Sequence, residues 1–144
     1  MTQSDETAEG AYALGAQVGF LLRRANQRHL AIFARALPEL TPTQFAALAQ
    51  LCADAPLSQN ALGRATAMDA ATIKGVVDRL RKRALVTAAP DPDDSRRLLL
   101  SPTGEGRALY DRLVPVARAI TTATLEPLSD RERQQFLTLL KKLV

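Results

Sequence analysis

The sequence predicts a mainly α fold with one small β-hairpin, and three observations point there. Apolar residues recur at steps of three and four along most of the 144 residues. Two short helical segments, capped at Ser58 and Asp69, follow one another with only "ATAM" between them. The stretch "PDPDDS" lies between two short apolar runs, where the helical period is lost and a turn is expected.

The first element is a long helix from Tyr12 to Leu37. Val18, Leu22, Ala25, His29 and Ile32 form one stripe, Gln17, Arg24, Arg28 and Arg35 lie on another face, and Pro38 ends the helix. In "LTPTQFAALAQL", Thr41 is placed as an N-cap, Pro42 suits the first helical position, and Gln44 completes a capping box. A second helix therefore runs from about Pro42 to Cys52, with Leu40 and Phe45 spaced as a hydrophobic staple.

Ser58 caps the third helix, with Leu57 and Leu62 as its staple, and Asp69 caps the fourth. Ile73, Val76, Val77 and Leu80 form the inner face of the fourth helix; Thr72, Lys74, Gly75, Asp78, Arg79 and Lys82 point outward. After Arg83, "ALVTAAP" and "RRLLLS" read as strands joined by a flexible, turn-rich tip. A long helix starts at Ser101 or Thr103 and continues to about Thr124, with Pro115 expected to kink it. Ser129 and Glu132 form a second capping box, and Phe136, Leu140 and Leu143 give the last apolar stripe.

A chain of this length buries about 70% of its unfolded surface, so a core needs no cross-link or metal. The single Cys52 cannot bridge within the chain and fits a reducing compartment, read as inert rather than redox-active. The polar start "MTQSDETAEGA" lacks a signal-peptide pattern and the apolar runs are too short to span a membrane, so a cytoplasmic location is expected. One histidine and one cysteine make a structural zinc site improbable; no glycine-rich phosphate loop or triad suggests an enzyme, and no cofactor is implied.

Formal net charge is +4, and its distribution says more than its size. Between Thr72 and Arg83 five basic residues (Lys74, Arg79, Arg81, Lys82 and Arg83) face one acid, Asp78. Paired helices with a tight link, followed by a hairpin, form a winged helix-turn-helix, and such a basic helix suits the major groove of double-stranded DNA. Thr72 and Lys74 stand near its N-terminus, where base edges are reached, with Arg79 further along; Ala70 and Ala71 are small enough to approach a thymine methyl. Ser58 and Gln59, at the start of the preceding helix, either cap it or meet a phosphate, and the two roles can coexist. A charged helix can also be merely a solvated face, so a winged-helix protein-interaction module is the alternative.

The order of elements resembles the MarR family of transcriptional regulators over roughly Tyr12 to Val144. The family's wing pattern, Asp-x-Arg followed after five residues by Leu-Thr-x-x-Gly, is met by Asp94, Arg96, Thr103 and Gly106, with Pro102 in place of the leucine. The resemblance implies that Arg96, with Arg97 beside it, enters the minor groove and that Asp94 orients an arginine. It implies a homodimer on a pseudo-palindromic operator, repressing until a small effector binds between the dimerisation helices and the DNA-binding lobe. Arg23, Arg24, Arg28 and His29 fall near that region and suit an anionic aromatic acid; His29 is equally readable as a core histidine. "VGFLLRRANQRHLAIF" resembles regulators of aromatic and N-heterocyclic acid catabolism. The expected organisation is a flexible acidic tail over 1–11, a dimerisation and effector helix over 12–37, the lobe over 38–101, and dimerisation helices over 102–144.

Overall fold

The computed structural model describes residues 10–144, so the expected acidic tail lies almost wholly outside the described residues. Six helices and three short strands follow in order: α1 (Val18–Ala36), α2 (Pro42–Asp54), β1 (Leu57–Ser58), α3 (Gln59–Ala65), α4 (Ala70–Lys82), β2 (Val86–Pro90), β3 (Leu98–Pro102), α5 (Gly104–Thr124) and α6 (Asp130–Lys141). This is the mainly α, winged helix-turn-helix architecture expected.

The capping residues define the starts of the helices. Thr41 accepts from the Gln44 N–H while the Gln44 side chain accepts from the Thr41 N–H, and Ser129 with Glu132 repeats the arrangement on α6. Of the two possible caps for α5, Thr103 is used, accepting from the Gly106 N–H at 3.0 Å. Helix α5 remains continuous through Pro115. The first helix departs from expectation: a 3-10 turn at Leu14–Ala16 precedes it, and extended backbone at Gln17 delays α1 to Val18.

The core lies in the lobe. Leu37, Leu48, Leu51, Leu62, Ile73, Leu80 and Leu113 are fully buried and draw α2, α3, α4 and α5 together beneath the hairpin. β1, two residues long and not foreseen, pairs antiparallel with β3, giving the sheet order β1-β3-β2. Leu57 opposite Leu100 and Ser58 opposite Leu99 thereby tie the hairpin to the start of α3.

The terminal elements bury little. Phe33 is the buried residue of α1, and α6 has none. Val18, Leu21, Leu22, Leu30, Phe136, Leu137, Leu139 and Leu143 remain exposed, including most of the stripe read from the sequence.

Candidate nucleic-acid interface

Helices α3 and α4 cross tightly because of Gly63. A Cβ there would lie 3.2 Å from both the Ile73 Cγ2 and the Met68 carbonyl oxygen, so the small residue allows the close approach. The linking turn passes through Ala67 at a φ of 55°, and the Met68 N–H donates to the Gly63 carbonyl at 2.9 Å. Asp69 then starts α4, accepting from the Thr72 N–H at 2.7 Å; this bond holds the Asp69 carboxyl below its ordinary range.

Ile73, Val76, Val77 and Leu80 are buried, which turns Thr72, Lys74, Arg79 and Lys82 to the exposed face. Lys74 pairs with Asp78 one turn on, at 2.9 Å, and its ammonium holds the Asp78 carboxyl below the usual range. The ion pair is exposed, so solvent screens it and Lys74 remains available to a phosphate or a base. A side chain at Gly75 would crowd Arg79, whose Nη1 would be 3.3 Å from an added Cβ. Gln59 is half-buried. Ser58 is 7% exposed, and its hydroxyl caps α3, accepting from the Ala61 N–H at 3.2 Å.

The wing tip carries a hydrogen-bond network of its own. The Asp91 N–H donates to the Arg97 carbonyl at 2.8 Å, and the Arg97 N–H donates to the Asp94 carbonyl at 3.0 Å. The Asp94 carboxylate accepts from the Arg96 N–H at 3.1 Å and stands 3.5 Å from the Arg96 Nε. Arg96 itself projects into solvent, its side chain 92% exposed. Sequence reasoning missed Asp91. It is 8% exposed, accepts from the Asp93 N–H at 2.9 Å and receives the Arg97 Nε at 3.2 Å. Each arginine of the tip thus has its own aspartate.

A second feature lies where α1, α5 and α6 meet. A mostly apolar cavity of about 280 Å³ is lined by Leu22, Phe136 and Leu140 among others, with Asn26, His29, Thr121 and Thr124 as polar members. The His29 Nδ1 hydrogen-bonds the Thr124 Oγ1 at 2.9 Å, and its ring meets Phe33 edge-on at 6.4 Å. The Phe33 ring meets Phe45, which in turn stacks on Tyr110 at 6.0 Å, so an aromatic row runs from α1 toward the lobe.

The arginines expected around an effector are not in that cavity's lining. Arg28 donates to the Thr124 carbonyl and, at 3.1 Å, to the Ala123 carbonyl, thereby capping the C-terminus of α5. The Arg24 guanidinium lies 6.0 Å from the Phe20 ring centroid, and Arg23 is exposed. The fold therefore brings only His29 of those four residues to the cavity. Cys52 is half-buried, and burial pushes its thiol up, opposed by the Arg107 charge and reinforced by Asp111. Among the described residues no group of three or more His, Cys, Asp or Glu is placed to hold a metal ion. No helix among them is long and apolar enough to cross a membrane.

Comparison with known proteins adds to this geometry. The sequence profile of the MarR family matches residues 39–97. The chain is 44% identical over 135 residues to the HTH-type transcriptional repressor NicR of Pseudomonas putida, covering 92% of this chain and 85% of that one. Among solved structures it is similar to BpsR of Bordetella bronchiseptica, described for regulation of its DNA binding by 6-hydroxynicotinic acid. That likeness has a TM-score of 0.90 at 43% identity, covering 93% of this chain and 97% of that one. The PcaV regulator of Streptomyces coelicolor, solved with its natural ligand, matches with a TM-score of 0.87 at 33% identity, covering 93% and 96%.

Proposed function

Because this chain belongs to the MarR family of transcriptional regulators, we propose that it is a homodimeric repressor that reads a pseudo-palindromic operator and leaves it when a small aromatic or N-heterocyclic acid binds. The observation that carries the DNA-binding reading is the two-faced α4. Its buried inner face fixes its orientation on the lobe, and its outer face presents Thr72, Lys74 and Arg79. In the major groove, Thr72 and Lys74 meet base edges and Arg79 meets phosphate, while Arg96 reaches the adjoining minor groove from a wing tip that Arg97 helps to close. Ala70, Ala71 and Gly75 make that surface sparse in bidentate groups, which gives DNA shape a large share of the discrimination.

The effector reading draws support from the cavity and from the relatives together. A ring-bearing acid is matched by an apolar wall and a polar end made by His29, Asn26 and Thr124. Occupation separates His29 from Thr124 at the end of α5, so the ligand acts on the helix that joins the dimer to the lobe. A coupling of about 1–3 kcal/mol changes operator affinity roughly 5–150-fold.

The test is fluorescence anisotropy on a duplex selected by the protein from a randomised pool, with salt and 6-hydroxynicotinic acid titrated in turn. Tight, salt-sensitive binding to the selected duplex, weakened by the acid, is the expected result. His29→Ala should keep operator affinity and blunt the response to the acid. If His29→Ala fails to fold, the histidine is a core residue. No preference for any duplex over random DNA would remove the regulator reading.

A further inference from the structure

We infer that Thr103 and Gly106 are positioning residues for DNA binding: seated directly on the turn that leaves α4, they set the angle at which the recognition helix is held on α5. The inference rests on the DNA-binding reading above.

The turn at the end of α4 is closed from within. The Leu85 N–H donates to the Leu80 carbonyl and the Ala84 N–H to the Arg81 carbonyl, both at 3.0 Å, which is the Schellman pattern. The left-handed residue of that pattern is ordinarily glycine; here it is Ala84, at a φ of 59°. A residue in that region persists where its surroundings over-determine it, and α5 supplies the restraint. The Thr103 hydroxyl donates to the Ala84 carbonyl at 2.6 Å, and the Thr103 N–H donates to the Leu85 carbonyl at 3.0 Å. The same hydroxyl accepts from the Gly106 N–H at 3.0 Å, so one oxygen both caps α5 and grips the end of α4.

Gly106 makes the approach possible. Its backbone has no positive φ, so conformational freedom is not why glycine stands there. A Cβ at this position would lie 2.1 Å from the Leu85 carbonyl oxygen and 3.0 Å from its carbon. The Leu85 carbonyl occupies the space a side chain would need, and the oxygen and carbon that a Cβ would strike are backbone atoms, which cannot swing aside as a side chain can. A third tie acts on the same turn: Arg83 donates to the Glu39 carbonyl, while Arg112 of α5 pairs with the Glu39 carboxylate at 3.6 Å.

The end of α4 and the first turn of α5 therefore move as one body. The consequence is geometric. Helix α4 is about 20 Å long, so a tilt of about 10° at its C-terminal end displaces the reading end by about 3 Å. That is close to the rise of one base pair, about 3.4 Å. A loosened joint costs discrimination between duplexes and between half-site spacings before it costs electrostatic affinity.

The experiment compares the wild-type chain with T103V, T103S, G106A and T41A. The last removes the cap of a different lobe helix and serves as a control for destabilisation. Each is measured against the duplex that the wild-type chain selects from a randomised pool, against that duplex with one central base pair inserted, and against random duplex. Folding is followed by circular dichroism and association by sedimentation. T103V is expected to fold and to lose about tenfold in preference for the selected over the random duplex, the size of one mismatched base pair. Its preference for the original spacing over the inserted one should fall as well, with binding to random duplex unchanged. T103S, which keeps the hydroxyl, should restore both preferences, and T41A should leave them intact. G106A should fall in the same direction or fail to fold, the latter marking the same steric contact. A folded T103V with wild-type discrimination overturns the inference alone, as does an equal loss in T41A. A wild-type chain that enriches no duplex overturns the regulator reading, and this inference with it.

Discussion

Arg96 and Arg97 sit side by side on the wing, yet their surroundings give them different roles. Arg97 is drawn back toward the nearly buried Asp91, six residues away, and helps to close the loop. Arg96 is held near its base by the Asp94 carboxylate, which accepts from its backbone N–H and lies at a long 3.5 Å from its Nε, and the rest of its guanidinium is left in solvent. A fully hydrated cation on a fixed stem is suited to a narrow, electronegative minor groove. Arg96→Ala should therefore weaken operator binding and lower the slope of log affinity against log salt by about 0.9 for each phosphate that the arginine neutralises. A salt titration of the variant with unchanged slope and affinity would take Arg96 out of the interface. The spacing of Asp94 and Arg96 was readable because both partners lie within one short motif. Asp91 was not, because its role exists only once the loop closes on itself. The same limit applied to Arg28. Its partners are the carbonyls at the far end of α5, 95 and 96 residues away in the chain, and helical periodicity carries no information about such a contact.

The helix starts were legible for a chemical reason: each N-cap is a local bond between residues three apart, and the chain shows it at Thr41, Ser58, Asp69, Thr103 and Ser129. β1 was not legible, since two residues make a strand only through a partner some forty positions on. The break at Gln17, which delays α1, was announced only by Gly15 two residues earlier, and a single glycine is tolerated within a helical pattern. Asp69 offers a test of how the caps work, because its carboxylate combines an acceptor with a negative charge at the positive end of α4. Its carboxyl is held down in the folded state, chiefly by the Thr72 N–H. A depressed folded value means that the stabilisation is fully present above the unfolded value and is lost as pH falls through the folded one. Asp69→Asn keeps a capping oxygen but discards the charge. The variant should thus melt below the wild type at neutral pH, with the gap closing as pH drops beneath the ordinary carboxylate range. Thermal unfolding followed from pH 7 to pH 3 measures this; a gap that stays constant or widens in acid would leave the charge without a role.

At the scale of the whole molecule, the core of the lobe, completed by Phe33, Leu37, Leu113 and Ile120, is closed within one chain, and the outer faces of α1 and α6 are not. A helix of twelve residues with no buried side chain, such as α6, is marginal in water by itself. Its Leu139 and Leu143 are 59% and 68% exposed, and α1 presents Val18, Leu21 and Leu22 in the same condition. A second copy of the chain docked on this surface would cover both helices at once and, by two-fold symmetry, would place two α4 helices on one face of the duplex. Operator geometry then requires the two to be about 34–36 Å apart, one helical turn of DNA. Replacing both Leu139 and Leu143 with Glu puts charges into the shared apolar face and leaves the lobe core of Leu48, Leu62, Ile73 and Leu80 untouched. The double variant should sediment near the 15.6 kDa of one chain. It should lose preference for a two-half-site duplex over a single half-site, because each lobe then binds alone, while salt-sensitive binding to any duplex persists. In the wild type, subunit association should make the melting temperature rise with protein concentration. A wild-type chain that sediments as a monomer yet still prefers the paired half-sites would separate operator reading from dimerisation. The exposed stripes of α1 and α6 would then have to serve some other contact.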